Sequence, residues 1–151
     1  MKIILIRHGM TEGNLKRRYI GTTDEDLINT DCLKGDYPKC ERVVASPLKR
    51  CIQTAEYIYP NVDIEICDKL KECDFGDFEN KSYEDLKDNP DYQKWIDSNG
   101  ELPFPNGETH EDFKNRCKDG FFESLTERDT AFVIHGGSIM AIMQKLFGGN
   151  F

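Results

Sequence analysis

The chain has 151 residues, 38% of them hydrophobic and 32% charged, a length and balance that suit one globular domain able to bury a core. Its formal net charge of −8 excludes the basic footprint that nucleic acid requires, and leaves room for an anionic small molecule only where positive charge gathers in one pocket. No apolar run approaches ~18 residues and the start carries no leader pattern, which predicts no membrane span, no secretion signal and a cytoplasmic protein.

Ile3-Ile4-Leu5-Ile6 opens the chain as an apolar run, which predicts a strand buried on both faces, since a strand with one wet face would alternate with polar positions. It stops at Arg7-His8-Gly9, where such a strand emerges at its C-terminal edge, the edge at which open α/β sheets bind ligands. Met10 to Arg18 reads as a loop, or a loop with a short helix. Its Lys16-Arg17-Arg18 cluster is either solvated surface or the rim of an anion site. Thr22 to Asp36 is polar and predicts no long helix.

Arg42 to Ala45 is a second short strand, closed by Ser46-Pro47. Leu48 to Tyr59 follows as a helix, because Leu48, Ile52, Ala55, Ile58 and Tyr59 share one face and Pro60 ends it. Arg50 then lies in the first turn, at the same sheet edge as Arg7. Val62 to Ile66 alternates and predicts a third strand near an edge. The loop from Leu70 to Glu79 is dense in carboxylates. Ser82 to about Ser98 is mainly helical, with a capping box of Ser82 and Asp85 and a break or kink at Pro90. After a Pro/Gly-rich loop to Gly107, Glu108 or Thr109 opens a helix to about Leu125. Thr130 to Ile134 is the last strand, followed by His135-Gly136-Gly137 and by Ser138 as cap of a helix from Ile139 to Phe147. Strands alternating with helices imply an α/β fold, a three-layer αβα sandwich around a mostly parallel sheet. The six cysteines (Cys32, Cys40, Cys51, Cys67, Cys73 and Cys117) form no metal-like or paired spacing, so free thiols are expected.

Two strands that end in His-Gly, together with Arg50, bring two histidines and two arginines to one sheet edge. Guanidinium forks match phosphate oxygens, a neutral imidazole can attack phosphorus, and an acid from the Glu72 to Glu79 loop can protonate a leaving oxygen. That set suffices for phosphoryl transfer without a metal, because the arginines stabilise the charge. Neither a metal nor a cofactor is therefore expected. The sequence leaves open which loop acid serves, Glu72, Asp74 or Asp77.

Arg7-His8-Gly9-Met10-Thr11-Glu12-Gly13-Asn14 resembles the R-H-G-x-T-x-x-N signature of the histidine phosphatase superfamily, also called phosphoglycerate mutase-like. The blocks Gly21-Thr22-Thr23-Asp24, Ser46-Pro47-Leu48-x-Arg50, Leu70-x-Glu72-x-Asp74-Phe75-Gly76, Pro105-x-Gly107-Glu108-Thr109 and Val133-x-His135-Gly136-Gly137 stand in the same order as in that family. The resemblance implies His8 as the phospho-accepting nucleophile, Arg7, Arg50 and His135 as the phosphate clamp, and Glu72 as the proton donor. It places Asn14, the Gly21 backbone and Gly136 at the substrate, and leaves His110 structural. It also implies a single domain over 1–151 that lacks the usual C-terminal strand, and a 28–41 segment too short for the helix that relatives place there.

A short, acidic region after Glu72, where true mutases carry a basic insertion, resembles the small-molecule phosphatases of the α-ribazole-phosphate type. The implied partner is a small phosphate ester, with inorganic phosphate as product; nothing in the sequence bears on oligomeric state. A phosphoglycerate mutase-like enzyme, a phosphohistidine protein phosphatase and an inactive regulatory binding module are the alternatives. The loop acid speaks against the second of these, and the complete set of catalytic residue types against the third.

Overall fold

A computed structural model of the chain describes residues 1–149; the chain end at Phe151, on which the missing C-terminal strand was inferred, lies outside the described residues. Four parallel strands, β1 (Ile3–Arg7), β2 (Arg42–Ala45), β3 (Ile64–Ile66) and β4 (Thr130–Ile134), form one sheet in the order β1-β4-β2-β3. The first strand pairs Ile3 with Thr130 through to Arg7 with Ile134, so the two His-Gly ends lie side by side. Pairing continues past the strands: His8 N–H donates to Ile134 O at 3.0 Å and Ser46 N–H to Val133 O at 3.2 Å. His8, Ser46 and His135 are thereby fixed at the same edge.

Side chains alternate across the sheet with period two. Ile4, Ile6, Val43, Ala45, Ala131 and Val133 face one layer with Cys51, Ala55 and Tyr59 of helix α2 (Lys49–Ile58) and its end. Ile3, Leu5, Val44, Phe132 and Ile134 face the other, against Phe121 of α5 (His110–Glu123) and Ile142 of α6 (Gly136–Phe147). The three-layer expectation therefore holds. Burial on both faces belongs to β2 and β4, every residue of which is buried, rather than to β1. Among the described residues β1 is an edge strand with one neighbour, and Ile3, Ile4 and Leu5 are only half-buried. An apolar run reports which faces are covered; it does not report whether a strand has one neighbour or two.

Several element limits move for local reasons. Between Met10 and Arg18 lies a single helical turn, α1 (Glu12–Leu15), closed by a box in which Thr11 and Asn14 each bond the other's backbone. The 28–41 segment keeps one 3₁₀ turn, Asp31–Leu33. Pro90 does break the 82–98 helix: α3 (Tyr83–Leu86) is capped by Ser82, and α4 (Pro90–Asp97) starts on the proline with Asn89 as its cap. Strand β3 is shorter than expected, starting at Ile64. Helix α6 begins at Gly136 with His135 in the cap position, so Ser138 is not the cap. The Ser138 hydroxyl is instead buried and donates to Leu70 O at 3.2 Å.

A third apolar cluster lies between the carboxylate loop and α5. Phe78 is fully buried there, edge-on to Tyr92 at 5.2 Å and to Phe104 at 6.1 Å, with Trp95 at 6.0 Å. This cluster carries the loop on which Glu72 and Glu79 sit. Phe78→Ala is expected to cost about 3–5 kcal/mol, as other buried phenylalanine truncations do. Urea unfolding followed by the fluorescence of Trp95 reads that loss; a midpoint unchanged from wild type would mean the loop does not depend on this cluster.

Candidate active site

The two histidines meet edge to face, their ring centroids 5.2 Å apart and both rings buried. His8 Nδ1 lies 2.6 Å from Gly9 O. A carbonyl only accepts, so Nδ1 carries the proton and Nε2 is left with its lone pair. The Gly9 N–H donates to Thr54 Oγ1 at 2.9 Å, and that hydroxyl donates to Arg50 O at 2.7 Å, which ties the His8 turn to α2. His135 Nε2 is 2.8 Å from Ser46 Oγ, with Cys51 Sγ behind it at 3.5 Å.

Burial above all lowers the pKa of His8 to about 4, with the Arg50 and Arg7 charges adding to it and the Gly9 carbonyl opposing. Desolvation comes first and the charges of the two arginines are secondary. His135 is pushed down to about 2, again by burial first, then by Arg50 and His8. In the ligand-free site it is therefore a neutral hydrogen-bonding group.

Arg50 is fully buried at the start of α2. It donates through one terminal nitrogen to Thr23 O at 2.7 Å, and through the other to Gly21 O at 2.8 Å and Ile20 O at 3.4 Å, while Nε has no partner among the described residues. Arg7 is exposed and lies against Gly136, where a Cβ would come 3.5 Å from its Nε. Glu72 closes the far side. Its Oε1 accepts from Cys73 N–H at 2.9 Å and sits so near Gly137 that a Cβ there would come within 2.6 Å. Burial raises the Glu72 pKa above the usual carboxylate range, against the Cys73 and Gly137 amides and the charges of Arg50 and Arg7. The other loop acids face elsewhere: Asp74 accepts from Gly76 N–H at 2.9 Å, and Asp77 from the Asn106 amide at 3.0 Å.

Arg7, His8, Gly9, Met10, Asn14, Cys32, Leu33 and Tyr37 line an open cleft of about 320 Å³. Arg7, His8, Arg50, Glu72 and His135 are thus gathered at one sheet edge, close enough for their charges to act on one another. Asn14 borders this cleft while its Oδ1 accepts from Thr11 N–H at 3.2 Å. Gly21 is differently committed: its N–H goes to Glu79 and its carbonyl to Arg50, so its backbone supports an arginine. Of the basic cluster, Lys16 pairs with Glu12 at 2.6 Å on the surface, and none of the three lines the cleft. His110 Nε2 meets Leu102 O at 3.2 Å and its ring packs on Phe104. Among the described residues no group of three His, Cys, Asp or Glu is placed to hold a metal ion.

Arg116 has no place in the sequence argument and is central to the loop. It pairs with Glu108 through two 2.8 Å bonds and donates to Lys69 O, Lys71 O and Glu72 O at 2.8, 2.9 and 3.3 Å. Glu108 in turn accepts from Asp74 N–H at 3.2 Å. The segment carrying Glu72 is therefore held from α5. Only the even spacing of Phe113, Cys117 and Phe121 on that helix places Arg116 beside its buried face; nothing local announces its targets.

Comparison with known proteins bears on the family of the chain. Residues 3–151 match the family described as the histidine phosphatase superfamily (branch 1). A Bacillus subtilis protein named uncharacterized phosphatase PhoE is 32% identical over 98% of this chain and 78% of its own length. A broad-specificity phosphatase of Saccharomyces cerevisiae is 30% identical over 97% of this chain and 70% of its own. The crystal structure of the α-ribazole phosphatase from Shigella flexneri superposes with a TM-score of 0.82 at 27% identity, over 98% of this chain and 80% of that one. The chain therefore belongs to the histidine phosphatase superfamily, branch 1, as a histidine-type phosphatase.

Proposed function

We propose that the chain hydrolyses a small phosphate monoester in two steps through a phosphohistidine on His8, with α-ribazole 5'-phosphate as the first candidate substrate. The observation that carries the mechanism is the state of His8: a desolvated, neutral ring whose Nδ1 proton is fixed by Gly9, so that Nε2 keeps its lone pair. Nε2 attacks phosphorus, the bond to the ester oxygen breaks, and Glu72 gives its proton to the departing alkoxide. Water then attacks the phosphohistidine while Glu72 takes up a proton, and inorganic phosphate leaves with His8 neutral again. Arg7 and Arg50 offer fixed positive charge to the phosphoryl oxygens, and a dianionic phosphate favours proton uptake by His135, which turns it into a further donor.

The raised pKa of Glu72 suits this part, since a leaving-group acid must hold its proton until the ester bond breaks. The candidate substrate rests on likeness alone. It comes from the Shigella fold and from an Escherichia coli adenosylcobalamin/alpha-ribazole phosphatase, 26% identical over 98% of this chain and 80% of its own length. Purified protein assayed with p-nitrophenyl phosphate, α-ribazole 5'-phosphate, 3-phosphoglycerate, phosphoserine and a phosphohistidine peptide tests both points. The highest kcat/KM is expected for α-ribazole 5'-phosphate. Absence of turnover on every ester would remove the enzymatic reading, and a preference for another ester would replace the substrate.

The pH dependence follows from the two shifted groups. His8 must be neutral, so kcat/KM rises with pH through about 4. Glu72 must be protonated, so the rate falls again as pH passes its raised pKa. A bell-shaped profile is expected, to which the ester's own second ionisation, near ~6, adds a further rise in kcat/KM. In kcat, from which the free ester's ionisation drops out, a rising limb near the ordinary histidine value of ~6.5 would contradict the desolvation of His8.

A further inference from the structure

The loop Ile20–Thr23 lies between two opposite charges. On one side the Glu79 carboxylate accepts from three successive amides: Gly21 N–H at 2.9 and 3.1 Å, Thr22 N–H at 3.2 Å and Thr23 N–H at 3.1 Å. It also accepts from Thr23 Oγ1 at 2.6 Å. Three amides converging on one carboxylate make an anion nest. On the other side the carbonyls of Ile20, Gly21 and Thr23 receive the Arg50 guanidinium.

Two of these peptide units are shared. The unit joining Ile20 to Gly21 gives its N–H to Glu79 and its carbonyl to Arg50, and so does the unit joining Gly21 to Thr22. In a planar trans peptide the N–H and C=O point in opposite directions. Holding the amide end therefore fixes where the carbonyl end points. The two charges also polarise each bridging peptide in the same sense, which strengthens both bonds. Space enforces the arrangement, since a Cβ on Gly21 would come within 2.0 Å of Cys73 O.

From this we infer that Glu79 is a positioning residue for Arg50, acting through the Gly21 and Thr22 peptides rather than on substrate. Its carboxylate sets the Ile20 and Gly21 carbonyls that grip one terminal nitrogen of Arg50, while the Thr23 carbonyl holds the other. The guanidinium is thereby held in one orientation, with Nε–H among the donors left without a partner in the described residues. A phosphate then meets an arginine already in place and loses no affinity to the cost of ordering it. Without the carboxylate the three amides lose their common acceptor, the peptides are free to rotate, and Arg50 loses its frame. The inference deepens the phosphatase reading and rests on Arg50 belonging to the phosphate clamp.

The test measures inorganic phosphate binding by calorimetry alongside p-nitrophenyl phosphate hydrolysis, for wild type, Glu79→Gln, Arg50→Lys and the double variant, with thermal melts confirming the fold. Glutamine keeps the shape but sets an NH2 group against amides that need an acceptor. Glu79→Gln is expected to weaken phosphate binding about tenfold in the wild-type background and less than twofold in the Arg50→Lys background, because its effect runs through that guanidinium. Glu79→Ala, expected to behave alike, replaces it if the glutamine variant does not fold. Equal losses in both backgrounds, or unchanged phosphate affinity in Glu79→Gln, overturn the positioning role while leaving the phosphatase reading intact. A wild type that binds phosphate but hydrolyses no ester removes that reading, and the four binding constants still decide the coupling. A wild type that does neither overturns both.

Discussion

Replacing His8 with alanine is expected to lower turnover of p-nitrophenyl phosphate by roughly 10³-fold or more, while phosphate binding survives. The loss is large because the group removed forms a bond in the transition state, and truncations of that kind remove catalysis rather than affinity. Binding persists because Arg7, Arg50, His135 and the amides at the start of α6 remain in place. The His8 ring is fully specified by its surroundings. Its backbone continues the β1–β4 pairing, its Nδ1 is bound to Gly9 O, and His135 stands edge-on at 5.2 Å. A water entering the vacated space meets none of that preorganisation. Rapid quenching after mixing with a radiolabelled ester should trap acid-labile, base-stable label on the wild type and none on His8→Ala. Normal labelling of the variant would transfer the nucleophile's part to His135.

Glu72→Gln is expected to have the second-largest effect, and one that depends on the leaving group. For an alkyl phosphate the departing alkoxide is a strong base and needs the proton, so a loss of about 10²–10³ is expected, within the range for general acid catalysis. For p-nitrophenyl phosphate the leaving group is already a stable anion, and the first step should lose about tenfold or less. Glutamine keeps the Cys73 N–H contact to the side-chain oxygen, so the loop itself should be unaltered. The falling limb of the pH profile should flatten in the variant, because that limb is the ionisation of Glu72. Equal losses on alkyl and nitrophenyl esters, with the limb unchanged, would move the proton donor to another group. Asp74 and Asp77 are poor replacements, being engaged with Gly76 and Asn106.

The choice among those three acids shows where sequence and structure part. All three lie within six positions in a loop of no fixed periodicity, and by residue type alone each is an acceptable acid. Only Glu72 is brought against Gly137 and into the field of Arg50 and Arg7, and that proximity comes from segments more than 20 residues away on either side. Glu79 and Arg116 were unreadable for a related reason. Both act on backbone groups, Glu79 on amides of residues 21–23 and Arg116 on carbonyls of residues 69, 71 and 72, and backbone groups carry no residue identity to read.

By itself the sequence determined the elements whose cause is local. The apolar runs of Ile3–Ile6 and Thr130–Ile134, the i, i+4 face from Leu48 to Tyr59, the break at Pro90 and the capping box of Ser82 with Asp85 all appear where residue type and spacing put them. Chain order, with strands alternating with helices, determined the parallel sheet and hence that Arg7-His8 and His135 emerge at one edge. The tertiary structure decided everything that depends on a neighbour distant in sequence. Among the described residues it made β1 an edge strand, started α6 at Gly136 and turned Ser138 inward to Leu70, and it desolvated His8, His135 and Glu72. Pattern is a property of one segment, whereas burial, charge field and backbone partnership are properties of the packed whole, and the chemistry of this cleft depends on the latter.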